Sequence, residues 1–246
     1  MRFQLQSITK TLRAAALATL QGAAAGTVVL MTLYPAGLQS GTLAAGWSAL
    51  ASAESKSRPP VLSRVANFGN AHPSVEAKTV ADWVARVDDS QGKAFVVIDK
   101  KSAHLYVFDA HAQLQASSPV LLGAALGDES VPGIGDRPIE EVRPHERTTP
   151  AGRFVGERGR NARGEDVVWV DYDAAVSMHR VVTSNAAEQR LRRLATPSVS
   201  DNRISYGCIN IPPAFYDAYI RPAFATQSSI VYVLPDVARI QQFFGV

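Results

Sequence analysis

Ala94-Phe95-Val96-Val97-Ile98-Asp99-Lys100-Lys101-Ser102-Ala103-His104-Leu105-Tyr106-Val107-Phe108 places two runs of β-branched and aromatic residues on either side of a short polar turn. Such runs read as strands, and a turn over 99–102 leaves no room for a crossover helix, so the two predict an antiparallel pair. The pattern recurs at Val120-Leu121-Leu122, at Arg153-Phe154-Val155, at Val167-Val168-Trp169-Val170, at Ala175-Val176-Ser177-Met178-His179 and over 230–234. Closely spaced strands of this kind predict an antiparallel, mostly β domain (β+α in class) with a few short helices. The helices are expected where Val80, Trp83, Val84 and Val87 recur at helical spacing, over 187–194, and after Pro212-Pro213, where Phe215, Tyr219 and Ile220 would supply the buried face. Between Gly123 and Gly152 turn formers dominate, and a loop of that length inside a domain is usually functional.

Outward from this block the chain changes character. Residues 1–53 carry Arg2, Lys10 and Arg13 but no acid, an apolar run from Ala14 to Leu33, and a small-residue stretch ending Ala51-Ser52-Ala53. Basic, then apolar, then small is the order of an export signal; about 20 apolar residues would also serve as a retained membrane span. Of the 25 basic residues, these three are the excess over the 22 acidic ones, so the remainder is formally neutral. A neutral domain offers no footing for nucleic acid, and membrane association is expected only through the N-terminal segment. The expected division is 1–53 signal or anchor, 54–92 linker and short amphipathic helix, 93–235 the main domain, and 236–246 C-terminal tail. Localisation follows as periplasm or cell envelope, with tethering to the inner membrane if the span is retained.

The chain holds one cysteine, Cys208, in Ile204-Ser205-Tyr206-Gly207-Cys208-Ile209-Asn210. In an exported chain a lone thiol has no intramolecular partner, so it is either buried as a small hydrophobe or chemically employed. Glycine beside it lets the backbone approach a substrate and aim amides at it, and a helix opening nearby would favour the thiolate. A thiolate attacking an amide needs a basic partner. Of His72, His104, His111, His145 and His179, the last stands at the end of an apolar strand, from which a side chain projects off a rigid scaffold, and it ranks first on position. Arg190, Arg192 and Arg193 read as a solvated helix face rather than a substrate clamp, and Trp83 and Trp169 as core.

A strand-end Met178-His179, an intervening segment, and Ser205-x-Gly207-Cys208-x-Asn210 together resemble the signature of L,D-transpeptidase (YkuD) catalytic domains. Thr149-Pro150-Ala151-Gly152-Arg153-Phe154 is similar to the turn by which those domains enter a strand. The resemblance spans roughly 93–235 and implies a YkuD-like β-sandwich. Tyr206 replaces a second His, Arg180 replaces a glycine, and the segment between His179 and Cys208 is longer than usual, which fits an inserted helix and loop over 183–203. It further implies that Cys208 attacks a stem-peptide carbonyl of peptidoglycan to form a thioester, which an amine on a neighbouring stem, or on an envelope protein, then resolves. By the same resemblance His179 is the base, the Arg180 carbonyl orients the imidazole, and amides around Gly207 and Cys208 receive the oxyanion. Ser205, Tyr206, Asn210 and Met178 would shape the substrate site, with no metal or organic cofactor. Water as acceptor would make the same scaffold a carboxypeptidase, and loss of the second His would suit a non-catalytic envelope binding module.

Overall fold

The computed structural model describes residues 64–246, so the expected signal or anchor and most of the linker lie outside the described residues. Helix α1 (Val75–Val87) starts at Ser74, whose hydroxyl accepts the amide of Ala77 at 3.0 Å, and stops at Asp88 in the left-handed region with φ 55°. Its buried stripe is Ala77, Val80, Ala81, Val84 and Ala85, while Val87 is exposed. The alanines, invisible to a search for large apolar residues, let the helix lie close to the sheet.

The strands are β1 (Phe95–Asp99), β2 (His104–Phe108), β3 (Leu114–Pro119), β4 (Leu122–Gly123), β5 (Gly152–Arg160), β6 (Asp166–Asp171), β7 (Val176–Arg180), β8 (Arg203–Ser205), β9 (Ile209–Ile211) and β10 (Ser229–Val233). They form one sheet in the order β3-β2-β1-β10-β5-β6-β7-β9, with β4 and β8 paired apart from it. The mostly β class with short helices is as expected; the purely antiparallel arrangement is not, because β1 pairs with β10, and β7 with β9, in parallel. The cause is topological: after β9 the chain runs through α3 (Pro213–Phe215), a π-helical turn (Tyr216–Ile220) and α4 (Arg221–Ala223), then returns as β10 between β1 and β5. In this helical run Tyr216 and Ile220 are buried, whereas Tyr219, expected on that face, is exposed.

A single sheet makes both walls of the sandwich because β5 changes partner along its length. Residues 152–156 pair with β10 and 157–160 with β6. At the changeover sits Gly156, where an added Cβ would stand 2.5 Å from Phe224 Cε1 and 3.1 Å from Val231 Cγ2, so nothing larger fits the fold line. Across it, Val96, Leu105 and Val231 on one half meet Val168, Met178 and Ile209 on the other, and Tyr216 and Phe224 close the end. The opposite face of β1, β2 and β10 presents Phe95, Phe108 and Tyr232 to α1, Phe68, Ile240 and Phe244. The central strands are therefore buried on both faces, and their near-continuous apolar runs follow from that. Residues 236–246, expected as a tail, and 64–72, expected as linker, belong to this second core, since Phe244 and Phe68 are buried there.

The 99–102 turn departs most from expectation. Lys100 is fully buried, its Nζ donating to Gly127 O at 2.6 Å, Thr149 O at 2.8 Å and Asp128 Oδ1 at 3.0 Å, with Asp236 Oδ2 at 3.3 Å. Arg203 donates to Asp236 at 2.6 Å and to Lys100 O at 2.7 Å. A buried ammonium is tolerated when paired and hydrogen-bonded, and here it anchors the 123–152 loop, which carries 3₁₀ turns at Ile134–Asp136, Ile139–Glu141 and Pro144–Glu146.

Candidate active site

Strand alternation places the first groups. Along β7, Val176 and Met178 face the core, so Ser177 and His179 face the other side. Met178 is fully buried and is not among the residues lining the cleft that holds Cys208, which corrects the expectation that it contacts substrate. Arg180 shares Met178's parity: its guanidinium bonds Asp166 at 2.9 Å and Asp217 at 2.5 Å and lies 4.4 Å over the Tyr216 ring. Only its carbonyl reaches the site, accepting from His179 Nδ1 at 2.7 Å. Because a carbonyl only accepts, this bond puts the proton on Nδ1 and leaves Nε2 as the working nitrogen.

Cys208 sits in the turn between β8 and β9. A helix opens at Pro213, as expected, but β9 stands between it and Cys208, so the peptide dipoles expected to favour the thiolate are not adjacent. Its half-buried thiol lies 3.5 Å from Ala175 O and 3.7 Å from Ser177 Oγ. Burial on its own pushes the thiol pKa up, but hydrogen bonding and charge from His179, with help from Ser177, bring it below the ordinary value of 9.0. For His179 burial pulls the other way, and contact with Cys208 and the Arg180 carbonyl outweighs it, so the imidazole rises above 6.5. Thiol down and imidazole up is the sense that populates a thiolate–imidazolium pair.

The turn itself is braced from every side. Gly207 has φ +126°, and a Cβ there would stand 2.7 Å from Thr148 O, so glycine is required on both counts. Ser205 Oγ donates to Cys208 O at 2.6 Å and accepts the Gly207 amide at 3.1 Å. The Gly207 amide is thus occupied; among the described residues the Cys208 amide has no such acceptor, which narrows the expected pair of oxyanion donors to Cys208. Asn210 Nδ2 donates to Cys208 O at 3.2 Å, and Thr149 Oγ1 donates to Gly207 O at 2.8 Å. Tyr206, which stands where the resembled family carries a second His, is partly exposed beneath the Arg147 guanidinium, 3.9 Å from its ring centroid.

A cleft of about 340 Å³ joins Cys208, His179, Ser205, Tyr206 and Asn210, with Ile139 and Glu188 on its walls. His72, His104, His111 and His145 lie outside it. The segment expected as an insertion forms a 3₁₀ turn (Ala186–Glu188) and α2 (Arg190–Ala195), seated by Leu194 against Leu121 and Val181. Arg190, expected in solvent, is turned into the cleft. Ser177 was also missed, although it lies two residues before His179 and strand periodicity alone puts both on one face. Among the described residues no group of three or more His, Cys, Asp or Glu is placed to hold a metal ion, and no helix is long and apolar enough to cross a membrane.

No family model matches this sequence, and no curated protein matches it. Solved structures similar to part of it include the catalytic domain of Enterococcus faecium L,D-transpeptidase, at 16% identity over 58% of this chain and 98% of that one, TM-score 0.33. An L,D-transpeptidase from Mycobacterium smegmatis is similar at 16% identity over 58% of each chain, TM-score 0.34. The helical cell shape determining protein Pgp2 from Campylobacter jejuni is similar at 14% identity over 59% of this chain and 49% of that one, TM-score 0.40. The chain spans about half the length of Pgp2 and of a longer Enterococcus faecium L,D-transpeptidase. Likeness at these identities and TM-scores carries nothing about chemistry, which rests on the atoms of the site.

Proposed function

We propose that this chain is an exported cysteine acyltransferase of the L,D-transpeptidase kind, acting on peptidoglycan stem peptides. The observation that carries the reading is that Cys208 and His179 line one cleft, where their mutual influence lowers the thiol and raises the imidazole. The substrate class rests on the resemblance of the Thr149–Phe154 and Ser205–Asn210 segments to that family.

In the reaction, Cys208 Sγ attacks the carbonyl carbon of a stem-peptide bond, and the oxyanion forms beside the unoccupied Cys208 amide. His179 Nε2 gives its proton to the departing amine as the C–N bond breaks, leaving a thioester. An incoming amine loses a proton to His179 and displaces the thiolate, which restores the pair. Ser205, Asn210 and Thr149 hold the turn in place, and Tyr206 lines the approach. The resemblance also implies peptidoglycan outside the cytoplasm as the place of action.

Incubation with a stem tetrapeptide and an amine acceptor tests this by intact mass. A thioester adduct on Cys208 and a transfer product, both absent in Cys208→Ser, are expected, as is stoichiometric acylation by a carbapenem. Absence of any adduct on a folded sample at neutral pH would overturn the reading in favour of a binding module, whereas release without transfer would make it a hydrolase.

A further inference from the structure

Arg190 is the cation that the insertion delivers to the cleft. Its side chain is 13% exposed, its Nε is paired with the Glu188 carboxylate, and its Nη1 donates to Asn210 Oδ1 at 2.7 Å. A guanidinium carries five N–H donors, and among the described residues Nη2 has no partner. The same cleft holds Cys208 and His179, with Arg163 and Glu165 on the facing β5–β6 turn. Arg190's charge opposes the imidazolium of His179. With Nε on Glu188 and Nη1 on Asn210, the guanidinium keeps Nη2 uncommitted inside the cleft, and a planar donor group of this kind suits a carboxylate.

We propose that Arg190 recognises a free carboxylate on the peptide substrate beside the bond that Cys208 attacks, so that the site selects substrates carrying that charge. The proposal rests on Cys208 being the nucleophile. Glu188 and Asn210 act as positioning residues that hold the guanidinium in the cleft it shares with the thiol.

Two alkylating agents of nearly equal size test it. In each, the thiolate displaces iodide and a C–S bond replaces the C–I bond, but iodoacetate carries a carboxylate and iodoacetamide does not. We expect the rate ratio of iodoacetate to iodoacetamide at Cys208 to fall about fivefold to tenfold in Arg190→Gln, the ratio cancelling any change in the intrinsic reactivity of the thiol. The double variant Glu188→Gln/Arg190→Gln removes the ion pair without leaving a lone acid, and its ratio should fall as well; a wild-type ratio there overturns the proposal. On the wild-type protein, N-acetylglycine should protect Cys208 from iodoacetamide and N-acetylglycinamide should not, and equal or no protection also overturns it. If Cys208 in the folded protein reacts no faster than an ordinary thiol with either agent, the nucleophile assignment itself fails; fast alkylation without charge preference defeats only the role of Arg190.

Discussion

Thr149 Oγ1 donates to Gly207 O at 2.8 Å and accepts the amide of Gly123 at 2.9 Å, which joins the turn entering β5 to the turn that carries the thiol. Two sequence segments far apart in the chain are thus one bracket. Thr149→Val keeps the shape and removes both bonds, leaving a buried carbonyl and a buried amide unsatisfied. A loss of about 1–3 kcal/mol in denaturant unfolding is expected, with Cys208 alkylation slowed because the turn loses its anchor.

Gly207→Ala should be worse for activity than for folding. The added methyl meets Thr148 O and must adopt φ +126°, so the turn moves and the thiol with it. Unfolding measurements should show a cost on the order of 1–3 kcal/mol, while thioester formation drops below detection. A Gly207→Ala protein with normal acylation would show that the turn geometry is irrelevant.

The His179–Cys208 contact makes a pH prediction with a definite sign. Because the thiol pKa is lowered through His179, His179→Ala should move the pH midpoint of iodoacetamide alkylation to higher pH. Loss of the proton donor should also cut acyl transfer by about 10²–10⁴-fold. In the wild type the imidazole lies above its ordinary value, so acyl transfer should fall as the pH climbs past that raised value.

The buried ion cluster predicts both a mutational and an acid sensitivity. Lys100→Met leaves Asp128 and Asp236 without their ammonium and should cost about 3–5 kcal/mol. Burial by itself would raise the Asp128 pKa, but the amides of Ala238 and Asp236, the Lys100 ammonium and the Val237 amide hold it at about 2, against an ordinary 3.8. A depressed folded pKa means stability that is present above the unfolded value and is lost as the pH falls from 3.8 towards about 2. Denaturant midpoints across that window should fall in the wild type, and less steeply in Asp128→Asn.

Much of the fold was legible because its strands are apolar on both faces. The runs at 94–98, 104–108, 167–170 and 230–234 each match a strand of the structure within a residue or so. β3 carries little strand signal in the sequence because Leu114–Pro119 is an edge strand of mostly small or polar residues, beside the stronger apolar run Val120-Leu121-Leu122. β8 and β9 are three residues each, too short for any period to register. Of the site, Cys208 and His179 stood out by residue type and position, whereas Arg190 looked like one member of a basic helix face.

The sequence alone determined the β class, the lone thiol and the strand-end imidazole, since residue type and period-two alternation are local properties. Tertiary structure alone decided which face of β7 meets the core and where the charged side chains find their partners. Met178 went to the core and the Arg180 side chain to Asp166 and Asp217, while Lys100 was buried and Arg190 was drawn to Asn210. Each of those outcomes depends on partners distant in the chain, and a buried or half-buried charge goes where its counter-charges and hydrogen-bond acceptors are assembled, which only the folded chain specifies.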